Sequence, residues 1–352
     1  MKSLTHFFLT GLLLAACSAH GAETETPDGE GESPWLLVPS LSVDPKLGAS
    51  IGAMGGYIHR FDEDSTPSMF VAGASYSDSD SSVMGVVGQM FFDADRQKLV
   101  VGVAGGEINN DYEDFLGSGI PAQTTDNLHA YVGRYQHLVA GDWYFGGQVI
   151  STNYTIGADD FFDPILELIG LTGFESTGVG LVAEYDTRDN LRNPSAGRFF
   201  SASNIAYRES LGGDESFDVY SLKYSEYISF GPRHLLAYQL KGRWTSDAPI
   251  GGYSSVELRG YVRGNYLAPN YSHVQLEDRI SFSDRWGMAV FGGVGCLYDG
   301  FSDCESSDAL YAMVGAGAIL VLKPEAGVVI RAEIAKGESD EYVAYLSMGQ
   351  PF

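Results

Sequence analysis

The sequence predicts an all-β fold, a 16-stranded antiparallel transmembrane β-barrel of the outer-membrane type. Composition is the first reason: the 352 residues include 44 Gly, 21 Tyr and 19 Phe, while charged residues make up 19%, below the roughly 25% of ordinary soluble domains. The second reason is that apolar residues recur with a period of two from Trp35 to Phe352. The third is that short and long connections alternate along the chain.

The alternating segments predict sixteen strands, many of them longer than the 5–6 residues typical of soluble strands. A tilted strand needs about 9–11 residues to cross a bilayer. The expected strands are 35–44, 47–60, 67–77, 81–93, 97–107, 127–138, 142–156, 175–187, 198–209, 214–229, 233–246, 272–282, 286–297, 308–322, 326–337 and 341–352. In 220–230, Glu226 interrupts the apolar face and predicts a bulge or a local change of register.

The connections add an independent signal. Those after even-numbered strands are mostly tight, as in DADR, FGPR and SDR, and those after odd-numbered strands are mostly long, as in 108–126 and 247–271. Outer-membrane barrels have this asymmetry, and a soluble β-sandwich has no reason to show it. The exceptions are the long 188–197 turn and the tight DPKLG connection after the first strand.

Other protein classes are disfavoured by elementary chemistry. No segment reaches the ~18 consecutive apolar residues that a membrane helix needs. The net charge of −25 opposes binding to phosphate backbones, so we expect no nucleic-acid partner. A hydrophobic content of 44% is too high for a disordered chain.

Residues 1–22 have the pattern of a signal peptide, with Lys2 followed by an apolar stretch from Phe7 to Ala16. Cleavage has two alternatives. Leu14-Ala-Ala-Cys17 matches a lipoprotein box in which Cys17 would be lipidated, and Ala19-His-Gly21 is an ordinary small-x-small site. Residues 23–34 contain five acids and nothing to bury, which predicts an acidic disordered tether before a barrel domain at 35–352.

Beyond Cys17 the sequence contains only Cys296 and Cys304, eight residues apart in a polar segment. In an exported chain this spacing predicts a local disulfide. Two thiolates without a nearby His are too few for zinc. We therefore expect no metal site and no cofactor.

Three stretches carry a family resemblance. The first contains Asp186, Arg188, Asp189 and Asn190, followed by Gly197, in a YDTRDN…NPSAGR pattern. The second is Arg259-Gly260-Tyr261, and the third is Glu277-Asp-Arg279 followed by WG…FGGVG. In this order they resemble the outer-membrane assembly factor and bacterial surface antigen superfamily (BamA/TamA-like) over 178–352, about half of the chain.

The resemblance implies a 16-stranded barrel whose sixth extracellular loop folds into the lumen. Here 247–271 follows the eleventh expected strand, which makes it the sixth outward loop. We call Arg259, Gly260 and Tyr261 the latch. Because a buried guanidinium needs carboxylate partners, the expected partners are Glu277 and Glu333, with Arg279 and Arg331 completing a charge network.

The sequence also departs from the family. The aspartate of its F-x-D-x-G motif is Gly293 here, so an acidic partner for Arg259 is missing. The assembly factors carry POTRA modules before the barrel, and we expect none in this chain. Phe352 is the expected C-terminal barrel signal.

We expect an outer-membrane protein that aids insertion or export of proteins or lipids. Its expected partners are outer-membrane lipid, a barrel-assembly machinery for its own insertion and an unidentified client. A passive channel that prefers cations, because the chain is acidic, and a surface-exposed structural or adhesive barrel are the alternatives. With neither a G-x-S-x-G nucleophile elbow nor an H-E-x-x-H motif, we expect no enzymatic activity.

Overall fold

The computed structural model describes residues 33–44, 48–112, 122–153, 175–261, 264–324, 327–337 and 342–352. The expected signal peptide, Cys17 and all but the last two residues of the expected tether lie outside these ranges. No helix in the described ranges is long and apolar enough to cross a membrane.

The described residues form an all-β antiparallel fold of eighteen strands. They are β1 (Trp35–Asp44), β2 (Gly48–His59), β3 (Ser68–Ser77), β4 (Ser82–Phe92), β5 (Gln97–Tyr112), β6 (Ala122–Ala140), β7 (Trp143–Thr152), β8 (Ser176–Asp186), β9 (Gly197–Tyr207), β10 (Phe217–Phe230), β11 (His234–Ser246), β12 (Ser254–Ser255), β13 (Leu267–Ala268), β14 (Asn270–Ser281), β15 (Trp286–Tyr298), β16 (Leu310–Lys323), β17 (Val328–Lys336) and β18 (Tyr342–Met348).

Sixteen of these strands form one large sheet in which each pairs with its neighbours in the chain. The short strands β12 and β13 pair only with each other, so β11 pairs directly with β14. Strand β1 pairs with β2 through ten residue pairs. Among the described residues it meets β18 through one pair, Val43 and Ala344.

The two faces of the large sheet differ in polarity. On β15, Trp286, Val290 and Val294 are exposed on the outer face, whereas Ala289 and Phe291 are buried on the inner face. Other strands repeat this alternation, and their exposed outer residues include Leu181, Leu240, Leu276 and Val314. An exposed apolar face is what a sheet that contacts hydrocarbon requires.

We call the edge that carries the even-strand turns the turn edge and the opposite edge the loop edge. Aromatic pairs lie along the turn edge: Trp35 and Tyr57 have ring centroids 4.7 Å apart, and so do Phe61 and Phe92. Trp143 packs against Tyr185 at 5.3 Å. Barrels place such aromatic girdles at the level of the lipid headgroups.

The expected irregularity at Glu226 is absent, since β10 pairs without a shift with both β9 and β11. Glu226 is accommodated on the outer face by Arg198 Nε, which donates at 2.9 Å, and by the hydroxyls of Tyr224 and Tyr238. Asp278, on the same face, accepts from His234 Nδ1 at 3.0 Å. Polar partners near the turn edge therefore replace the expected break in the ladder.

Several expected strand boundaries were wrong, and two of the differences have a clear physical reason. The β5–β6 hairpin extends through Tyr112 and Ala122, into the segment expected to be loop. Its added residues are mostly polar, and an antiparallel ladder needs no apolar side chains outside a bilayer. Strand β18 ends at Met348 rather than reaching Phe352, because Gly349 takes a positive φ of 110°.

The expected disulfide is present and joins Cys296, near the end of β15, to Cys304 in the short 3-10 turn Phe301–Glu305. The Cα atoms of the two cysteines are 5.8 Å apart. The bond thereby fixes the connection between β15 and β16 to the loop edge.

The outer face can be tested at Leu240, near the middle of β11 and 45% exposed. We expect Leu240→Arg to lower the stability of the protein folded in lipid vesicles by about 2–4 kcal/mol, because a charge would enter hydrocarbon. Urea titrations in vesicles would measure this, with Leu240→Ala as the control. Equal stability of the Arg and Ala variants would contradict lipid contact at this face.

Candidate functional site

The connection between β11 and β14 folds against the inner face of the sheet. It contains a 3-10 turn at Ile250–Gly252 and the β12–β13 pair. Val256, Leu258 and Tyr261 are buried in one apolar cluster with inner-face residues that include Tyr271 and Phe291. The connection therefore fills the space beside β14–β17 and does not project away from the loop edge.

Arg259 lies at the centre of this contact. Its Nη1 donates to Glu277 Oε2 at 3.0 Å and to Glu333 Oε1 at 2.9 Å. Its guanidinium carbon is 3.4 Å from the centroid of the Phe291 ring, a cation–π contact. Strands β14, β15 and β17 each supply one of these partners, so the arginine joins the connection to three strands.

The other two latch residues fix the backbone. Gly260 has a φ of 88°, and its N–H donates to the Tyr345 hydroxyl at 2.9 Å. A Cβ at Gly260 would lie 2.7 Å from the nitrogen of Gly337, so only glycine fits without displacement. The Tyr261 hydroxyl donates to the carbonyl of Ala312 at 2.7 Å.

Arg331 and Arg279 lie below the latch. The side chain of Arg331 is fully buried and donates to both Glu277 oxygens, at 2.8 Å and 3.0 Å. It also donates to Glu333 Oε1, at 3.1 Å from its Nε. Arg279 Nε donates to Glu277 Oε1 at 2.6 Å. The structure thus brings Arg259, Glu277, Arg279, Arg331 and Glu333 together; we call these five residues the buried network.

Gly293 stands where the resembled superfamily has an aspartate, and close neighbours surround this position in the sheet. A Cβ at this position would lie 2.8 Å from the carbonyl oxygen of Val274 and 2.9 Å from the Cβ of Gln275. Glu277 and Glu333 are the only carboxylates of the buried network. Three guanidinium groups therefore share two carboxylates among these residues.

The 187–196 turn is built by its own side chains. Arg188 pairs with Asp186 through Nε at 2.8 Å and Nη2 at 2.7 Å. Asn190 Oδ1 accepts from the N–H groups of Arg192 and Asn193, both at 2.9 Å. Gly197 has a φ of 102°, and a Cβ there would lie 2.2 Å from the Thr187 carbonyl.

Asp189 completes this turn by accepting the backbone N–H groups of Asn190, Ser195 and Ala196. Burial raises the pKa of Asp189, but the hydrogen bonds from Ser195 and these N–H groups outweigh it and leave the pKa below its ordinary value. The carboxylate therefore stays charged and holds the turn closed.

The same turn reaches across the turn edge, which explains its unusual length. Arg192 Nη2 donates to the Pro67 carbonyl at 2.6 Å, and burial lowers the pKa of Arg192 to about 10. On the other side Asn193 Oδ1 accepts from Gln350 Nε2 at 2.7 Å. Gln350 in turn accepts from Arg331, so the turn is joined to the buried network.

Phe352 lies on the inner side, although a period of two from Tyr342 and Ala344 would place it on the outer face. It packs with Tyr227 and Ala237, both buried on the inner face. Its carbonyl accepts from Arg279 Nη2 at 3.0 Å. The left-handed conformation of Gly349 turns the chain inward before this residue.

A second set of charged residues lies on the inner face of β5–β8. Lys98 Nζ is 3.4 Å from Asp186 Oδ2 and 3.9 Å from Glu184 Oε2. Arg134 Nη1 is 3.5 Å from Glu184 Oε1. Alternation alone placed these residues on one face, but their partners depend on the strand register. The sequence therefore did not predict this set, nor the contacts of Phe291, Asn193 and Gln350.

Cations prevail on the inner face, in contrast to the acidity of the whole chain. Among the residues whose side chains the structure describes, the inward carboxylates of the strands and of the 247–261 segment are Glu184, Asp186, Glu257, Glu277 and Glu333. The inward cations are Lys98, Arg134, Lys223, Lys241, Arg243, Arg259, Arg279 and Arg331. The acidic residues that give the chain its net negative charge therefore lie mostly outside this inner-face set.

This architecture defines a class of protein: the chain has the fold of outer-membrane barrels. It is similar to the crystal structure of BamA from Haemophilus ducreyi lacking POTRA domains 1–3, with a TM-score of 0.53 and 13% identity, over 90% of this chain and 70% of that one. It is also similar to CdiB from Acinetobacter baumannii, with a TM-score of 0.58 and 11% identity. That match covers 90% of this chain and 59% of CdiB.

No family model matches the sequence, and no curated protein matches it. The similarity to known proteins therefore concerns the fold. The resemblance to the assembly-factor superfamily agrees with the fold of BamA, while membership of that superfamily remains a proposal.

The buried network predicts a ranking of two substitutions. We expect Arg331→Met to cost about 3–5 kcal/mol, because it leaves two carboxylates buried with fewer partners. Arg259→Ala should cost about 2 kcal/mol, since Arg331 and Arg279 still pair with both glutamates. The temperature at which the folded band disappears on semi-native gels would measure both. Equal losses, or none for Arg331→Met, would contradict the network.

At Gly260 the effect of the close contact with Gly337 can be separated experimentally from the strain that a side chain has at positive φ. Gly260→Ala and Gly212→Ala both place a side chain at positive φ, but a Cβ at Gly212 would meet nothing within 4 Å. We expect Gly212→Ala to cost about 1 kcal/mol and Gly260→Ala clearly more, with faster proteolysis of the 250–261 segment. Indistinguishable unfolding temperatures would show that the latch does not need this contact.

Proposed function

We propose that this protein is an integral outer-membrane barrel of the assembly and translocation type, which aids insertion or export of a protein or lipid through a weak seam between β1 and β18. The observation that carries the proposal is that, among the described residues, one residue pair joins these strands, against ten pairs between β1 and β2. A seam with few hydrogen bonds separates at a lower cost than an ordinary ladder.

We further propose that the sixteen long strands close at this seam in the membrane, with the 247–269 connection as an inward-folded sixth extracellular loop. The exposed apolar outer face supports the membrane location. Closure follows from the chemistry of the bilayer, where an unpaired strand edge has no water to satisfy it. The fold of outer-membrane barrels such as BamA and CdiB supports the same location.

A filled interior favours this role over a passive channel. The latch and the buried network occupy the inner space beside β14–β17, and the 187–196 turn crosses the turn edge. The prevalence of inward cations also opposes the cation preference expected from the net charge, because fixed positive charge repels cations from a pore.

The proposed role is not enzymatic. One G-x-S-x-G pattern, Gly48 to Gly52, lies inside strand β2. A nucleophile elbow instead needs a sharp turn from a strand into a helix. This placement supports a structural part for Ser50, whose side chain is buried.

A disulfide across the seam tests the proposal. We expect liposomes that contain the protein to accelerate insertion of a urea-unfolded outer-membrane barrel several-fold. Oxidised Val43→Cys/Ala344→Cys protein should lose this acceleration, because the seam can no longer open, and reduction should restore it.

The matched control is Val38→Cys/Met54→Cys, which joins a residue pair within the ordinary β1–β2 ladder. This variant should retain the acceleration when oxidised. Wild-type protein treated with the same reductant shows the effect of breaking the native Cys296–Cys304 disulfide alone. Full acceleration by the oxidised seam variant would reject the seam, and no acceleration by the wild type would reject the insertion role.

A further inference from the structure

A cavity of about 430 Å³ opens at the turn edge below the buried network. It lies between the 187–196 turn, the turns after β10 and β14, and the Gln350 segment. Its lining includes the guanidinium-bearing Arg279 and Arg233, the amides of Asn193 and Gln350, and several serine hydroxyls. Asp284 is the one carboxylate in this lining, and it is exposed on its turn.

Arg279 is the buried group in this lining, with a relative exposure of 4%. Its Nε is bonded to Glu277 and its Nη2 to the Phe352 carbonyl. Its Nη1 is buried without an acceptor in the described part of the chain. A buried charged donor without a partner is costly, and a third acceptor would remove that cost.

Arg259 shows the same shortage of acceptors. Its Nε and Nη2 are also buried without acceptors among the described residues. The three guanidinium groups of the buried network share two glutamates, and the main-chain oxygen of Phe352 is a further acceptor at Arg279. Gly293 supplies no carboxylate, and a Cβ there would contact the carbonyl oxygen of Val274.

We propose that this cavity is a binding site for an anionic group, a carboxylate or a phosphate that enters from the turn edge and accepts from Arg279. Amide and hydroxyl donors around the anion complete the site, and the apolar side chains of Leu235, Ile319 and Val321 line its inner part. This site is independent of the proposed role in insertion, because no client is needed to occupy it.

The test uses the full-length protein folded in detergent at constant ionic strength made up with chloride. Acetate and inorganic phosphate are the two probes, and the unfolding temperature is followed by the disappearance of the folded band. We expect a saturable rise in that temperature with at least one probe, because a ligand bound only to the folded state stabilises it. Saturation by acetate alone identifies a carboxylate site, and saturation by phosphate alone a phosphate site.

A carboxylate introduced at Ser281 would occupy the proposed anion site with a group of the protein itself. Ser281 lines the cavity and lies two residues after Arg279 on the same face of β14. Glu277 lies two residues before Arg279 on that face. We expect Ser281→Glu to raise the unfolding temperature without added anion and to abolish the response to both probes. Ser281→Gln, the matched neutral control, should behave as the wild type.

Several results would overturn the proposal. One is the absence of saturation with either probe in the wild type, since phosphate also stabilises proteins non-specifically and without saturation. Another is an identical response of the Ser281→Glu and Ser281→Gln variants. Neither result depends on whether the protein accelerates insertion, so the two proposals fail separately.

Discussion

The need to pair a fully buried guanidinium governs the interior of this protein. Arg331 has no exposed side-chain surface and reaches both Glu277 and Glu333. These residues belong to β14 and β17, which are separated by two strands in the sheet. The strand register must therefore place three side chains within hydrogen-bond reach across the inner space. A slip of one residue in either strand would turn its charged side chain toward the outer face, at a cost far above that of a lost hydrogen bond.

The same alternation produces both faces of the sheet, and it reconciles an acidic chain with a cationic interior. Apolar residues such as Leu240 and Val290 occupy the outer positions, so the polar positions between them point inward. Carboxylates outside the paired sets lie largely in exposed turns, as Asp284 does. Net charge is thus a poor guide to the lining of such an interior, which is why the cation preference expected from −25 does not match the inner face.

Much of the large sheet could be predicted from the sequence, because a period of two and the alternation of turn lengths both report on strands. The expected β5–β6 boundary failed because Asn109, Asn110 and Asp111 are polar, and polarity does not distinguish a solvated ladder from a loop. The family motifs led to the latch and its glutamates. Nothing in the sequence indicated that Gln350 and Asn193 join the 187–196 turn to Arg331, since such contacts depend on how distant segments meet in space.

Contacts on the inner face also hold one of the two strands that meet at the seam between β1 and β18. Strand β18 pairs with β1 at one position, yet it is held from within by Tyr345, which accepts from Gly260. Beyond the strand, Gln350 and the Phe352 carbonyl bind Arg331 and Arg279. The last strand is therefore tied more firmly to the buried network than to its seam neighbour. Movement of β1 away from β18 need not disturb these contacts, whereas movement of β18 must break charge-assisted hydrogen bonds. If the proposed seam opens, this asymmetry makes β1 the strand that we expect to move.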